Sequence, residues 1–298
     1  MRHIISLSTI PPRFAAIGPT LASLVGQSSR PEAVELYIPK SYRRFPTWGG
    51  GLPQVPDGVT IVRVDEDLGP ATKVLPAART YRGQELDLLF ADDDHFYRPD
   101  WAQRFLMVRK AHPTAAVCAS GTTVARLGRD WVSDGPLPKA VRAPRPSEQW
   151  GYWLRRLLAN SRRPDPTRPQ LRAAHRKLDR SGHVDIAEAF AGVALRPDFL
   201  DEDAFVIPPV LWAVDDVWLS GQLARRHIPI WADRRLNRSV AIRGVVDTTP
   251  LLRAVIEGAD RRAANLACVD YMRETYGIWG GSVGKAASDG PDETVTGA

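Results

Sequence analysis

The chain has 298 residues, 44% of them hydrophobic and 25% charged, with 25 Pro and 23 Gly; these proportions describe a globular protein and exclude collagen-like, coiled-coil and wholly disordered ones. A balance of 40 Lys and Arg against 34 Asp and Glu gives a net charge of +6, too mild to mark a nucleic-acid binder but suited to handling phosphates or touching an anionic membrane. Cys118 and Cys268 are the two cysteines, each among apolar neighbours, so a disulfide framework and a cysteine zinc site are excluded and both are expected as buried thiols.

No apolar run reaches the roughly eighteen residues of a membrane span. The apolar stretch at the N-terminus soon meets Pro11-Pro12 and is too short for a signal peptide, which predicts a cytoplasmic protein. Residues 3–8 read as a first strand, followed by a loop through Pro11, Pro12 and Arg13, a helix over 17–25 and a strand over 34–38. Residues 39–58, with Pro46, Gly49, Gly50, Gly51, Pro53 and Pro56, read as a loop. Residues 60–64 form a third strand, and Pro70 opens a helix to about residue 82. The run Leu86-Asp87-Leu88-Leu89-Phe90-Ala91 is of buried-strand type and ends abruptly in Asp92-Asp93-Asp94. A helix starts at Asp100, with Gln103 in capping-box spacing, and 115–120 is a further strand. Such alternation implies a mainly parallel sheet covered on both faces. Ligands collect beyond the carboxyl ends of its strands, so the loop after the first strand and the aspartate triplet are predicted to share one edge.

Between 126 and 182 the pattern fails, broken by seven prolines from Pro136 to Pro169, with a short amphipathic helix over 152–159. This reads as a long functional insertion or lid within one domain spanning 1–280. Arg155, Arg156, Arg162, Arg163, Arg168, Arg172, Arg176, Lys177 and Arg180 cluster there beside Trp150, Tyr152, Trp153, Leu154, Leu157 and Leu158. Aromatics next to basic residues suit peripheral contact with an anionic bilayer, here the inner face of the membrane. A solvated charge run and an arginine lid over a diphosphate are the alternatives. No nucleic-acid partner is expected, because no recognition motif accompanies the charge. Order returns at 187–195, a helix begins near Asp215, 228–231 is a strand, and Thr249-Pro250 opens a helix to about residue 276. The small, polar tail 281–298 is expected to be disordered.

Three carboxylates after a buried strand repel one another unless a cation sits among them. Side chains alternate on an extended backbone, so Asp92 and Asp94 can face one way while Asp93 faces another. A pair of such carboxylates suits Mg²⁺ or Mn²⁺ bridged to diphosphate oxygens. The alternative is a solvated turn, although a helix cap needs one Asp and not three.

These residues resemble a known family. Asp92-Asp93-Asp94 is similar to the Asp-x-Asp motif of nucleotide-sugar glycosyltransferases with the GT-A fold. The run Ile5-Ser6-Leu7-Ser8-Thr9-Ile10-Pro11-Pro12-Arg13, with Leu21, Ser23, Leu24, Gln27 and Ser28 after it, resembles the opening of bacterial family-2-like transferases of this kind. Asp67-Leu68-Gly69-Pro70-Ala71-Thr72-Lys73, Phe190-Ala191-Gly192-Val193-Ala194-Leu195-Arg196 and Val214-Asp215-Asp216-Val217-Trp218-Leu219 resemble three further motifs, the second an acceptor-side strand and the third an acidic motif with a carboxylate before a helix. Order and spacing agree over residues 3–231, apart from the insertion.

The resemblance implies an α/β, GT-A (Rossmann-like) fold: a mainly parallel central sheet flanked by helices, with a long irregular insertion. It implies metal-dependent, inverting transfer of a sugar from a nucleotide-diphosphate donor, UDP-sugars being commonest, to a hydroxyl of a glycan, a lipid-linked acceptor or another small acceptor. Thr9, Arg13, Asp67, Lys73, Asp92 and Asp93 would bind the donor. Asp94, with Asp92, would hold Mn²⁺ or Mg²⁺. Asp216, the second acid of its pair with Asp215, would be the general base. Read as residues alone, Arg13 can be an ordinary surface residue, Gly69-Pro70 a helix start, and Asp215-Asp216 an N-cap with an extra first-turn acid. A helix N-terminus also weakens a carboxylate as a base, whereas burial by Trp212 and Trp218 would strengthen it. Trp150 and Trp153 are further candidates for stacking on sugar, with core packing the alternative. A sugar nucleotidyltransferase should carry a Gly-rich phosphate loop after the first strand, where Ser8-Thr9-Ile10-Pro11-Pro12-Arg13 stands. A non-catalytic nucleotide- or carbohydrate-binding protein would have no need of both Asp94 and Asp216.

Overall fold

The computed structural model describes residues 1–280 except 134, 162–168, 173, 176, 238 and 246–259, and omits the side chains of 155 and 159–161. The tail 281–298, expected to be disordered, lies outside the described residues.

Four apolar segments form parallel strands: β1 (His3–Ser8), β2 (Ala33–Pro39), β3 (Val59–Val64) and β4 (Asp87–Ala91). With β5 (Ala116–Cys118), β6 (Gly182–Val184), β7 (Val193–Leu195) and β8 (Ile230–Ala232) they build an eight-stranded sheet ordered β6-β8-β5-β7-β4-β1-β2-β3. Six strands run one way; β7, between β4 and β5, and β6, at the edge, run against them. The mainly parallel α/β sheet is therefore as expected. The strand at 116–118 is separated from β4 because β7 inserts between them.

Alternate residues of the central strands feed two cores. Ile4, Leu88 and Phe90 face one, with Trp218, Val269 and Met272; Ile5, Leu7, Leu89 and Ala91 face the other, with Leu21, Trp101 and Phe105. A strand buried on both faces favours apolar residues at successive positions, which is why β4 reads as a run over 88–91, with the buried Asp87 at its start paired to Arg109 Nε at 2.9 Å. Helices α1 (Gly18–Val25) and α3 (Trp101–Ala111) cover one face. The other is covered by α2 (Leu75–Thr80), α5 (Asp215–Arg225) and α6 (Arg261–Tyr276). Gly192 (φ +104°) lets β7 approach α3, since a Cβ there would lie 2.5 Å from the Trp101 ring.

Three local expectations are corrected. The helix predicted from Pro70 to about 82 is a 3₁₀ turn, Gly69–Lys73, followed by α2; Pro76 has no N–H to continue the ladder across the join. Asp100 makes no side-chain cap bond, because its carboxylate instead accepts Arg104 Nε at 2.6 Å. The last helix has its own start: Asp260 accepts from Ala263 N at 2.8 Å and caps α6. Thr249-Pro250 lies outside the described residues. The insertion is also more ordered than its prolines suggest. It holds α4 (Trp150–Ser161) and a ribbon of Val141–Arg142 with Leu178–Arg180, and β6 joins the main sheet before residue 187.

Candidate active site

The carboxyl ends of β1 and β4 lie side by side, and their loops interlock. Asp93 turns inward, where it is 5% exposed. Its Oδ2 accepts Thr9 Oγ1 at 2.6 Å, its Oδ1 accepts Arg13 Nη1 at 2.5 Å, and its carbonyl accepts Thr20 Oγ1 at 2.9 Å. Burial pushes the Asp93 carboxyl up to about 6 against the pull of Arg13. Thr9 and Arg13, expected on the donor, are thus committed to Asp93, although both still line the cleft. Asp94 sits differently: burial alone would raise it, but His95 Nδ1 at 2.7 Å from Oδ1 and the charges of Arg13 and Lys73 hold it below its usual value. His95, to which sequence reading gives no role, is the Asp94 partner.

Lys73 joins the two acidic motifs. Its Nζ lies 2.6 Å from Asp92 Oδ1 and 3.0 Å from Asp215 Oδ2, with 8% of the side chain exposed. The second contact is an ion pair without hydrogen-bond alignment, so Asp215 Oδ2 is buried with no hydrogen-bond donor. Burial opposes the ammonium, but Asp215, Asp92 and Asp216 outweigh it and keep Lys73 charged. The resemblance places Lys73 on a phosphate; in the structure it is a bridge between carboxylates.

Asp215 and Asp216 open α5. Asp216 Oδ1 accepts Ala189 N at 3.0 Å, and Arg261 stands 3.6 Å from Oδ2. Burial and the neighbouring Asp215 raise the Asp216 carboxyl to about 7, although Arg261, Lys73 and the Ala189 amide pull it down. The side chain keeps 23% of its surface exposed, so it is reachable from the cleft. Of the two tryptophans expected beside it, Trp212 lines the cleft and donates to the Asp67 carbonyl at 2.8 Å. Trp218 points into the core, donating to the Ala204 carbonyl, and has no place near an acceptor. Trp150 and Trp153 are absent from the cleft wall.

The cleft has a volume of about 460 Å³ and gathers Asp67, Lys73, the triplet, Asp215 and Asp216. Asp67 accepts Arg43 N at 2.8 Å and Gly69 N at 2.9 Å, and burial raises its carboxyl. Gly69 (φ +60°) is required here, because a Cβ would meet Trp212 at 2.7 Å. Tyr42, Arg44 and Phe45, from the loop after β2, also line the cleft, as do Phe190 and Arg261. Sequence reading quoted Phe190 within a motif but missed the other four. The Tyr42-Arg43-Arg44-Phe45 run inside a Pro/Gly-rich loop was the available signal; Arg261 offered none. Among the described residues, no arginine of the insertion lines the cleft.

Six carboxylates (Asp67, Asp92, Asp93, Asp94, Asp215, Asp216) meet four cations (Arg13, Arg44, Lys73, Arg261), a formal surplus of two negative charges. Among the described residues no three His, Cys, Asp or Glu side chains converge as a metal cluster. Mg²⁺ and Mn²⁺ can be held by one or two carboxylates together with substrate phosphates. The hard oxygens of Asp92 and Asp94 and the negative surplus suit such a cation.

No family model and no curated protein matches the chain. Among solved structures it is similar to S. aureus TarS 1-349, at 12% identity and a TM-score of 0.42, covering 93% of this chain and 72% of that one. The same TarS fragment in complex with UDP matches at 12% identity and a TM-score of 0.37, with the same coverage. A further S. aureus TarS structure matches at 13% identity and a TM-score of 0.38, over 78% of this chain and 35% of that one. Likeness this distant decides nothing about substrate, which the side chains of the cleft must settle.

Proposed function

We infer that the protein is an inverting glycosyltransferase that takes a sugar from a nucleoside-diphosphate donor in this cleft. The observation that carries the reading is Asp216: a carboxyl with 23% of its side chain exposed in the cleft, raised to about 7, next to Asp215, which Lys73 joins to Asp92 of the triplet. A base poised near 7 can take a proton from a hydroxyl at neutral pH. In the proposed reaction the acceptor oxygen attacks the anomeric carbon as its proton passes to Asp216. The bond from that carbon to the diphosphate breaks with its electron pair leaving on the phosphate oxygen, so configuration inverts.

A nucleoside diphosphate entering a cleft with surplus negative charge needs a counter-ion. Asp94 and Asp92 would hold Mn²⁺ or Mg²⁺, which when bound supplies charge stabilisation to the departing diphosphate. Trp212, Tyr42 and Phe45 offer aromatic faces for a base or sugar ring. Asp67, at the floor of that wall, would accept from the nucleoside, and UDP is the first donor nucleotide to test.

Thermal denaturation tests this reading. UDP with Mn²⁺ at a hundredfold excess over Kd should stabilise by about 2.7 kcal/mol, a rise of several degrees, and UDP without metal should do much less. Asp94→Ala should remove the metal dependence. Stabilisation by a nucleoside triphosphate with a sugar 1-phosphate, and none by UDP with Mn²⁺, would instead favour a nucleotidyltransferase.

A further inference from the structure

Helix α4 turns its apolar stripe outward. Trp150, Trp153, Leu154, Leu157 and Leu158 recur at the spacing of one helical face, and they are 93%, 51%, 61%, 69% and 50% exposed. None of the five belongs to either core. Scattered exposed leucines are ordinary, but a continuous stripe of large apolar side chains marks a contact surface.

Charge identifies the partner. Residues 150–180 hold nine Lys and Arg against two acids, Asp165 and Asp179, a net +7 in a chain whose whole net charge is +6. The rest of the protein is thus slightly acidic, and the entire positive excess falls in the stretch of sequence that carries the exposed stripe. A second copy of the chain would set +7 against +7, so self-association through this face is opposed electrostatically. An acidic, apolar-faced surface satisfies both features at once, and the extended surface of that kind is a bilayer containing anionic lipid. Indoles are at home where acyl chains meet headgroups. Trp153 already has its N–H bonded to the Ser147 carbonyl at 2.9 Å, with Arg156 5.3 Å from its ring centroid, a pairing of aromatic body and cation suited to that boundary.

We propose that α4 lies in the surface of an anionic membrane, with its apolar stripe among the acyl chains and the adjoining basic residues at lipid phosphates. The far end of the same segment reaches the cleft: Lys177 Nζ stands 4.4 Å from the ring centroid of Phe190, which lines it. The proposal is independent of which reaction the cleft performs.

Flotation of the full chain with lipid vesicles tests it. The protein should float with phosphatidylcholine–phosphatidylglycerol vesicles, about tenfold or more better than with phosphatidylcholine alone, and binding should weaken as salt is raised. Leu154→Asp with Leu157→Asp should cut binding about tenfold or more without lowering the melting temperature, since both side chains are exposed. Arg156→Gln with Arg162→Gln and Arg163→Gln should weaken binding to the anionic vesicles and leave the weak binding to phosphatidylcholine unchanged. Equal binding to both vesicles would overturn the proposal. So would full binding by either variant, or a dimer in solution that the leucine variant dissociates.

Discussion

Asp216→Asn is expected to lower sugar transfer by about 10²–10⁴-fold, the usual contribution of a positioned general base, while the protein melts at the wild-type temperature and still responds to UDP with Mn²⁺. The amide keeps an oxygen for the Ala189 N–H now 3.0 Å from Asp216, so local structure should persist and only the proton acceptor is lost. The pH profile separates this role from a structural one. With its carboxyl raised to about 7 by burial and by Asp215, Asp216 is mostly protonated below that pH. The wild-type rate should therefore rise about tenfold per pH unit up to about 7 and level off above it, and the residual rate of the variant should lack that limb. Wild-type transfer by Asp216→Asn, or a profile flat between pH 5 and 7, would remove Asp216 from the chemistry. The helix N-terminus at Asp216 favours the carboxylate, but burial and the adjacent charge on Asp215 prevail, and this makes the residue a usable base.

Lys73→Met should destabilise the fold by about 3–5 kcal/mol, because it strands Asp92 and Asp215 without their shared cation. The ammonium is 8% exposed and the Asp215 side chain 4%, so water screens that pair little. Denaturant titration checks the magnitude. Adding Asp92→Asn and Asp215→Asn to Lys73→Met should restore most of the loss, since the charges then disappear together. A loss below about 1 kcal/mol in the single variant would mean that Lys73 behaves as a solvated lysine, and the two acidic motifs would not be coupled through it.

The site's edge was legible because buried parallel strands announce themselves. The run 88–91 is apolar throughout because its alternate residues enter two different cores, and it ends where water begins, at Asp92. The first strand was legible for the same reason, and parallel topology then placed Thr9 beside the triplet, where its hydroxyl meets Asp93 at 2.6 Å. What each charged side chain touches was not legible. Lys73 lies 19 residues from Asp92 in sequence and far further from Asp215, and no local pattern records that one ammonium serves both. Arg261, Phe190 and Tyr42 enter the cleft from segments that only the folded chain brings together. Local chemistry misled at Asp100, where capping-box spacing was present but the carboxylate went to Arg104. Proline density misled in the insertion: it signalled irregular chain correctly, yet the stretch also holds α4 and a two-stranded ribbon.

Diffraction from crystals soaked with UDP and Mn²⁺, recorded to reveal the manganese by anomalous scattering, tests the cation-bridged cleft most directly. The account predicts an ion within about 2.0–2.6 Å of an oxygen of Asp92 or Asp94 and of a diphosphate oxygen, with the nucleoside against the wall that holds Asp67 and Trp212. UDP bound elsewhere on the protein, or bound in the cleft while Asp92 and Asp94 keep only Lys73, Arg13 and His95 as partners and no manganese signal lies beside them, would contradict it.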